Sequence, residues 1–165
     1  MLEEALIQNA LAYAARHDLQ LAERLGFGVH GTIHVAENKS SGGKTAIKAH
    51  RELDPYLRER EAYERLRRAG VTEILGFNVP QFVHADNDLR VIEMTIVARP
   101  FVLDFAGAYL ARRPDFSEEA WAEWTSEKRE QFDVRWPVVQ RVLAALEEFG
   151  IHMLDVSPGN IAFAD

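Results

Sequence analysis

The chain has 165 residues, of which 47% are hydrophobic, 27% charged and 10% aromatic, as is typical of a folded globular protein and not of a disordered or low-complexity one. Its formal net charge of -7 disfavours a nucleic-acid-binding surface. The sequence has no cysteine, which excludes disulfides, thiolate metal sites and cysteine nucleophiles.

The N-terminal segment predicts an amphipathic helix. Apolar residues recur at helical spacing from Leu2 to Ala14, which predicts a helix over residues 2–16. Glu3 and Glu4 stand where a secretory signal would carry basic charge, and no apolar stretch is long enough to span a membrane. We therefore expect a cytoplasmic protein without membrane contacts.

The next segment contains the glycine-rich stretch Gly-Phe-Gly-Val-His-Gly at residues 26–31. A dinucleotide-binding fingerprint places such glycines at the start of a helix. Here Ile33 and Val35 alternate with polar residues, which predicts a strand. The turn at residues 38–44 and the extended stretch at 45–50 then complete a hairpin. The glycines are therefore predicted to form a hairpin tip of the kind that covers a phosphate chain.

The remaining elements divide the chain near Arg99. Asp54 is predicted to cap a helix that begins at Pro55, and Ser117 to cap a later helix. The predicted elements are a helix over 55–69, strands over 79–85 and 89–97, and helices over 117–131 and 137–149. A strand-rich first part followed by a helix-rich second part indicates an α+β fold.

Three motifs follow one another in a fixed order. Gly26, Gly28 and Gly31 with Ile33 match G-x-G-x-x-G-x-[VI]. Ala46-Ile47-Lys48 on the next strand is similar to V-A-I-K, and the two-residue period places Ala46 and Lys48 on one face. After the last predicted helix, Asp155 and Asn160 have the D-x-x-x-x-N spacing of a kinase catalytic loop.

On these motifs, residues 21–165 resemble the protein kinase-like superfamily. The wording Asp-Val-Ser-Pro-Gly-Asn at residues 155–160 is closest to atypical bacterial kinases and aminoglycoside phosphotransferase-like enzymes. After an N-terminal helix in residues 1–20, the resemblance implies an antiparallel five-stranded N-lobe with one packed helix over residues 21–98. It implies a partial, mostly helical C-lobe over residues 99–165.

The resemblance implies ATP and Mg²⁺ as ligands. Lys48 would contact the α- and β-phosphates, Asp155 would orient the accepting hydroxyl, and Asn160 would hold the metal ion. The residues implied to surround the adenine and the glycine loop's phosphates are Gly26, Gly28, Gly31, Ile33, Ala46, Glu93, Met94 and Thr95, the last three supplying backbone groups.

The glutamate implied to pair with Lys48 is open among Glu59, Glu61 and Glu64. Helices of the resembled family carry apolar residues four and seven positions after this glutamate, and Tyr63 and Leu66 follow Glu59 in that way. Glu59 is therefore preferred, with Glu61 as the second choice because Glu59 follows Lys48 closely in sequence.

The D-F-G metal motif is expected after the catalytic loop, and only five residues follow Asn160. The expected consequence is an incomplete Mg²⁺ site, weak ATP binding, and slow or undetectable phosphoryl transfer. The alternative is a pseudokinase module that binds a protein partner without nucleotide. A partner or a second copy of the chain would then cover the partial C-lobe. The sequence does not identify the substrate that would accept the phosphoryl group.

Overall fold

The computed structural model describes residues 2–165, in which helices and strands are mixed in an α+β architecture. In chain order the elements are α1 (Leu2–Arg16), β1 (Leu19–Phe27), β2 (Gly31–Asn38), β3 (Lys44–His50), α2 (Leu53–Arg68), β4 (Glu73–Ile74), β5 (Phe77–Asn78), β6 (Phe82–Asp86), β7 (Val91–Met94), β8 (Phe101–Val102), α3 (Glu118–Phe132), a 3₁₀ turn (Asp133–Arg135), α4 (Trp136–Glu147) and β9 (Ile161–Ala162).

The main sheet has five strands in the order β1-β2-β3-β7-β6, and every neighbouring pair is antiparallel. The predicted five-stranded antiparallel sheet is therefore confirmed. The glycine-rich segment lies at the turn between β1 and β2, where the Gly28 amide donates to the Gly31 carbonyl at 2.9 Å. A strand follows the glycines, so the hairpin tip is confirmed and the dinucleotide arrangement is excluded.

The alternation of side chains along β3 separates two apolar layers. Ile47 and Ala49 pack against α1 in one buried cluster, whereas Ala46 belongs to a second cluster with side chains of α2. This two-residue period is what the sequence predicted. It places Lys48 and His50 on the same side of the sheet as α2.

Helix α2 begins two residues before the predicted start at Pro55. Its N-cap is Glu52, which makes no side-chain capping bond, and Asp54 lies inside the first turn. The predicted Asp54 cap is therefore wrong, although an acidic residue in the first turn still interacts favourably with the helix dipole. The α3 cap is confirmed, because Ser117 Oγ accepts from the Ala120 amide at 3.1 Å.

A second sheet joins the two parts of the chain. Its order is β4-β5-β8-β9, with β5 and β8 parallel and β8 and β9 antiparallel. The region after Arg99 is thus not purely helical, since it supplies two short strands beside α3 and α4. Within residues 2–165, no helix combines the length and the apolar character needed to cross a membrane.

Candidate functional site

Two adjoining cavities lie between the main sheet and the region after residue 99, and together they form what we call the cleft. One, of about 320 Å³, is largely apolar and is lined by side chains that include Leu25, Ala46, Met94 and Leu103. The other, of about 260 Å³, is lined by the glycine turn and by Asp155. Ile33, Lys48 and Asp104 line both cavities.

The Lys48 ammonium lies at the junction of the two cavities. Its Nζ is 2.7 Å from Glu59 Oε1 and 3.0 Å from Asp104 Oδ1. The structure thus forms the ion pair that the sequence favoured. The other two glutamates face elsewhere on α2, where Glu61 pairs with Arg65 and Glu64 pairs with Arg60.

Glu59 is fully buried, and both of its carboxylate oxygens are occupied. Besides Lys48, Oε1 faces His50 Nε2 at 2.7 Å, and Oε2 accepts from the Phe105 amide at 2.8 Å. His50 is also fully buried, and its Nδ1 lies 3.2 Å from the Arg90 carbonyl. Both ring nitrogens therefore face oxygen atoms, one of a carboxylate and one of a backbone carbonyl. His50 was not predicted, because only the folded chain brings it against Glu59.

The charges of this network stabilise one another. Burial by itself raises the pKa of Glu59, but the nearby Lys48 and His50 outweigh it and lower that pKa to about 2. Burial by itself lowers the pKa of Lys48, but the carboxylates of Glu59 and Asp104 outweigh it and raise that pKa. Lys48 and Glu59 therefore stay charged throughout the neutral pH range.

Asp104 is the most important residue that the sequence reasoning missed. The expected incomplete metal site took no account of Asp104, whose carboxylate lies beside Lys48 with 32% of its side chain exposed. Its φ of 72° is unusual for a residue other than glycine and is the kind of backbone strain found at functional sites. The available signal was Asp104-Phe105, the first two residues of D-F-G, in a position before α3.

The strand pairing explains how Asp104 reaches the cleft. D-F-G was expected on a strand that follows Asn160 and pairs back onto β9. In the structure the strand paired with β9 is β8, which comes earlier in the chain, with Val102 opposite Ile161. Asp104 follows β8 by two residues. Its position therefore does not depend on the five residues after Asn160, which are too few to form a further strand that returns to the cleft. Asp165, by contrast, forms an ion pair with Arg135 at 3.1 Å.

Asp155 faces the cleft from the opposite side. Its side chain is exposed and lines the glycine-turn cavity together with His30. A Cβ at Gly107 would lie 3.2 Å from Asp155 Cβ, so a side chain there would crowd Asp155. The structure therefore brings Lys48, Asp104 and Asp155 to one cavity. His30, at the tip of the glycine turn, had not been singled out by the sequence motifs.

Asn160 does not present its side chain to this cavity. Its Oδ1 accepts from the Ser157 amide at 2.8 Å, and its Nδ2 donates to the Asp155 carbonyl at 2.6 Å. The side chain is buried and closes the turn that carries Asp155. In this structure Asn160 therefore shapes the turn, and its role as a metal ligand stays a prediction.

The end of β7, at Met94, and the segment that follows it, at Thr95, Ile96 and Val97, line the apolar cavity. The Glu93 side chain points to the other face of the sheet, where it accepts from the hydroxyls of Tyr13 and Thr45 at 2.7 and 2.8 Å. The Thr95 amide donates to the Gln81 carbonyl. The Thr95 amide is therefore not available to a ligand, and the backbone of Ile96 and Val97, one and two residues beyond the predicted range, lies at the same cavity.

The three glycines of the turn serve different purposes. All three line the glycine-turn cavity. A Cβ at Gly31 would lie 1.9 Å from the Ala49 carbonyl oxygen, so glycine is needed there for β2 to pair with β3. A Cβ at Gly28 would meet nothing within 4 Å, which leaves space above that backbone on the cleft side of the turn.

No protein-family model matches this sequence, and no curated protein matches it significantly. The resemblance noted above therefore depends on the order of the motifs and on the geometry of the cleft.

Proposed function

We propose that the chain has a protein kinase-like fold and is an ATP-binding phosphotransferase domain that acts with Mg²⁺. One observation carries the proposal: the buried Lys48 ammonium is held between a buried carboxylate and a partly exposed one, directly under a glycine turn. A lysine fixed in this way uses two of its three N–H donors and leaves the third for phosphates that enter the cavity beside it.

The two cavities suit the two halves of a nucleotide. The apolar cavity, flanked by Ile33, Ala46 and Met94, would take the adenine ring. The backbone of Ile96 and Val97 lies at its edge and would hydrogen-bond the base. The glycine-turn cavity would take the phosphates, with the open backbone at Gly28 beside them.

Asp104 fits the role of the carboxylate that holds Mg²⁺, because this ion is commonly bound by one or two carboxylates together with substrate phosphates. When bound, Mg²⁺ neutralises charge on the transferred group. Within residues 2–165 no group of three or more His, Cys, Asp or Glu side chains is arranged to hold a metal ion. Asp104 would therefore act together with phosphate oxygens.

Asp155 would orient the accepting hydroxyl and take its proton. Its side chain is exposed into the same cavity as Lys48 and Asp104, so both an acceptor and a phosphate can reach it. Asn160 is hydrogen-bonded within the turn and does not line the glycine-turn cavity, so we assign the metal ion to Asp104 and phosphate oxygens. We therefore propose that nucleotide binding is accompanied by slow phosphoryl transfer.

A thermal-shift titration with ATP, with and without Mg²⁺, tests the proposal, because a ligand that binds only the native state raises the midpoint of unfolding. Ala46→Leu places a larger side chain in the apolar cavity without replacing a charged group and should weaken or abolish the shift. Asp155→Asn should keep the shift and lose turnover.

The absence of a shift in the wild-type chain would contradict nucleotide binding. It would favour the second candidate, a protein-interaction module, which is supported by the apolar side chains of Phe27, Val29 and Ile96, 49%, 80% and 45% exposed. They flank the mouth of the cleft.

A further inference from the structure

Two side chains of α3 hold the backbone on either side of Asp155. Trp124 Nε1 donates to the Leu154 carbonyl at 3.1 Å, and Lys128 Nζ donates to the Val156 carbonyl at 2.8 Å. The two residues are four apart in sequence and so lie on the same face of the helix. They contact the residues immediately before and after Asp155.

Lys128 is unusual because its ammonium is buried. The residue is 8% exposed, and its closest carboxylate, that of Glu127, is 4.0 Å away on a side chain that is largely exposed. Gln131 Oε1 lies at 3.3 Å, so the Val156 carbonyl is the closest acceptor. Burying an ammonium is costly unless strong hydrogen bonds offset the loss of water. The contact with Val156 is therefore the principal interaction that keeps Lys128 in this position.

The Asp155 carbonyl is held as well, by Asn160 Nδ2 at 2.6 Å. Three successive carbonyl groups, those of residues 154, 155 and 156, thus accept hydrogen bonds from side chains. Among residues 2–165, no side chain is hydrogen-bonded to the Asp155 carboxylate, which is exposed to the glycine-turn cavity. The backbone is fixed while the carboxylate stays free to meet a ligand.

We propose that Trp124 and Lys128 are positioning residues that fix Asp155 relative to the phosphate-binding cavity. The proposal rests on the proposed function, since it assigns α3 the task of holding the proton-accepting carboxylate in place. A displacement of about 1 Å in such a group can cost about a hundredfold in rate. Neither residue lines the glycine-turn cavity, so their effect reaches the reaction only through the loop.

The test compares four variants. Lys128→Met removes the donor and keeps the length of the side chain, Lys128→Arg restores a donor, and Trp124→Phe removes only the indole N–H. Arg129→Met, at an exposed neighbouring position on α3, is the matched control. Mg²⁺-dependent ATP turnover and amide hydrogen exchange at Ser157 and Asn160 are measured for each.

We expect Lys128→Met to lower kcat by about tenfold to a hundredfold while KM for ATP changes less than about twofold. Lys128→Arg should recover most of the rate, Trp124→Phe should have a smaller effect, and Arg129→Met should behave as wild type. Exchange at Ser157 and Asn160 should quicken in Lys128→Met, whereas exchange in β3 should not change.

An unchanged kcat in Lys128→Met would overturn the proposal. So would a uniform rise of exchange in all elements, because the effect would then be a general loss of stability. If the wild-type chain neither binds nor turns over ATP, the proposed function fails and Asp155 has no reaction to be positioned for. The exchange measurement still tests the contact itself: faster exchange at Ser157 and Asn160 in Lys128→Met would show that α3 holds the loop, and unchanged exchange would show that it does not.

Discussion

The two sides of the cleft hold their charged side chains in different ways. On the sheet side, Lys48, His50 and Glu59 are buried, and every carboxylate oxygen of Glu59 has a partner. On the helical side, the carboxylate of Asp155 is exposed, and only its backbone is held. The first side is fixed by electrostatics inside the core, the second by hydrogen bonds to a loop.

This difference separates stability from function. A change in the buried network leaves charges without partners in the core, so it must alter the free energy of unfolding. A change at Asp155 removes a side chain that contributes little to folding, so its effect should be confined to chemistry. Variants on the two sides therefore test different parts of the account.

The largest effect is expected from Glu59→Ala. The substitution removes the shared acceptor of Lys48, His50 and the Phe105 amide. Leaving such donors buried without a partner costs about 3–5 kcal/mol. Urea denaturation should show this loss in the free energy of unfolding.

The matched control for that variant is Glu61→Ala, which lies on the same helix. Glu61 pairs with Arg65 and Arg68 on a partly exposed surface. Exposed ion pairs of this kind contribute about 1 kcal/mol or less. Equal losses in the two variants would contradict the distinction between buried and exposed pairs.

The next effect concerns two glycines of the same turn. Gly31→Ala places a Cβ against the Ala49 carbonyl and should destabilise the chain by about 1–3 kcal/mol, as overpacking does. Gly28→Ala meets nothing within 4 Å and should stay within about 0.5 kcal/mol of wild type. Thermal unfolding of both proteins measures the difference, and a larger loss in Gly28→Ala would show that the packing of the turn is misassigned.

The buried network should also give stability a defined pH dependence. The pKa of Glu59 is lowered from 4.5 to about 2, so its contribution is present above pH 4.5 and is lost as the pH falls through this range. The pKa of Lys48 is raised above 10.5, so its contribution persists below that value and is lost only at higher pH. Urea midpoints measured from about pH 5 to about pH 2 should fall more steeply for wild type than for Glu59→Gln. Parallel curves for the two proteins would exclude Glu59 as the source.

The smallest effect on stability is expected from Asp155→Asn. The side chain is exposed, so the free energy of unfolding should change by less than about 0.5 kcal/mol. Turnover should nevertheless be lost, since an amide cannot take the proton of the accepting hydroxyl. Chemical denaturation and an ATP turnover assay on the same preparation separate the two effects. A substantial loss of stability would place Asp155 with the structural network instead.

Local patterns predicted the sheet side well. The alternation along β3 placed Ala46 and Lys48 on one face. Glu59 was preferred over Glu61 and Glu64 because its apolar neighbours match the helix pattern of the resembled family. Both patterns are formed by residues of one strand or one helix, so they can be read from the spacing of residues in the sequence. His50 gave no such signal, because its partners Glu59 and Arg90 are brought to it only by tertiary packing.

Chain order misled the prediction on the other side. Asp104 was missed because the strand that pairs with β9 was sought after Asn160, whereas β8 precedes α3. Asn160 has the spacing of a metal ligand, but its side chain closes the Asp155 turn. Spacing alone cannot distinguish a side chain that faces a cavity from one that turns back onto its own loop.

The most direct test of the account is calorimetric titration of ATP with and without Mg²⁺ into wild type and Asp104→Asn. If Asp104 holds the metal ion beside phosphates contacted by Lys48, Mg²⁺ should tighten ATP binding to wild type by about tenfold or more, equivalent to about 1.4 kcal/mol. The variant should bind metal-free ATP comparably to wild type and gain nothing from Mg²⁺. Equal enhancement by Mg²⁺ in both proteins, or no binding to wild type, would contradict the assignment of this cleft.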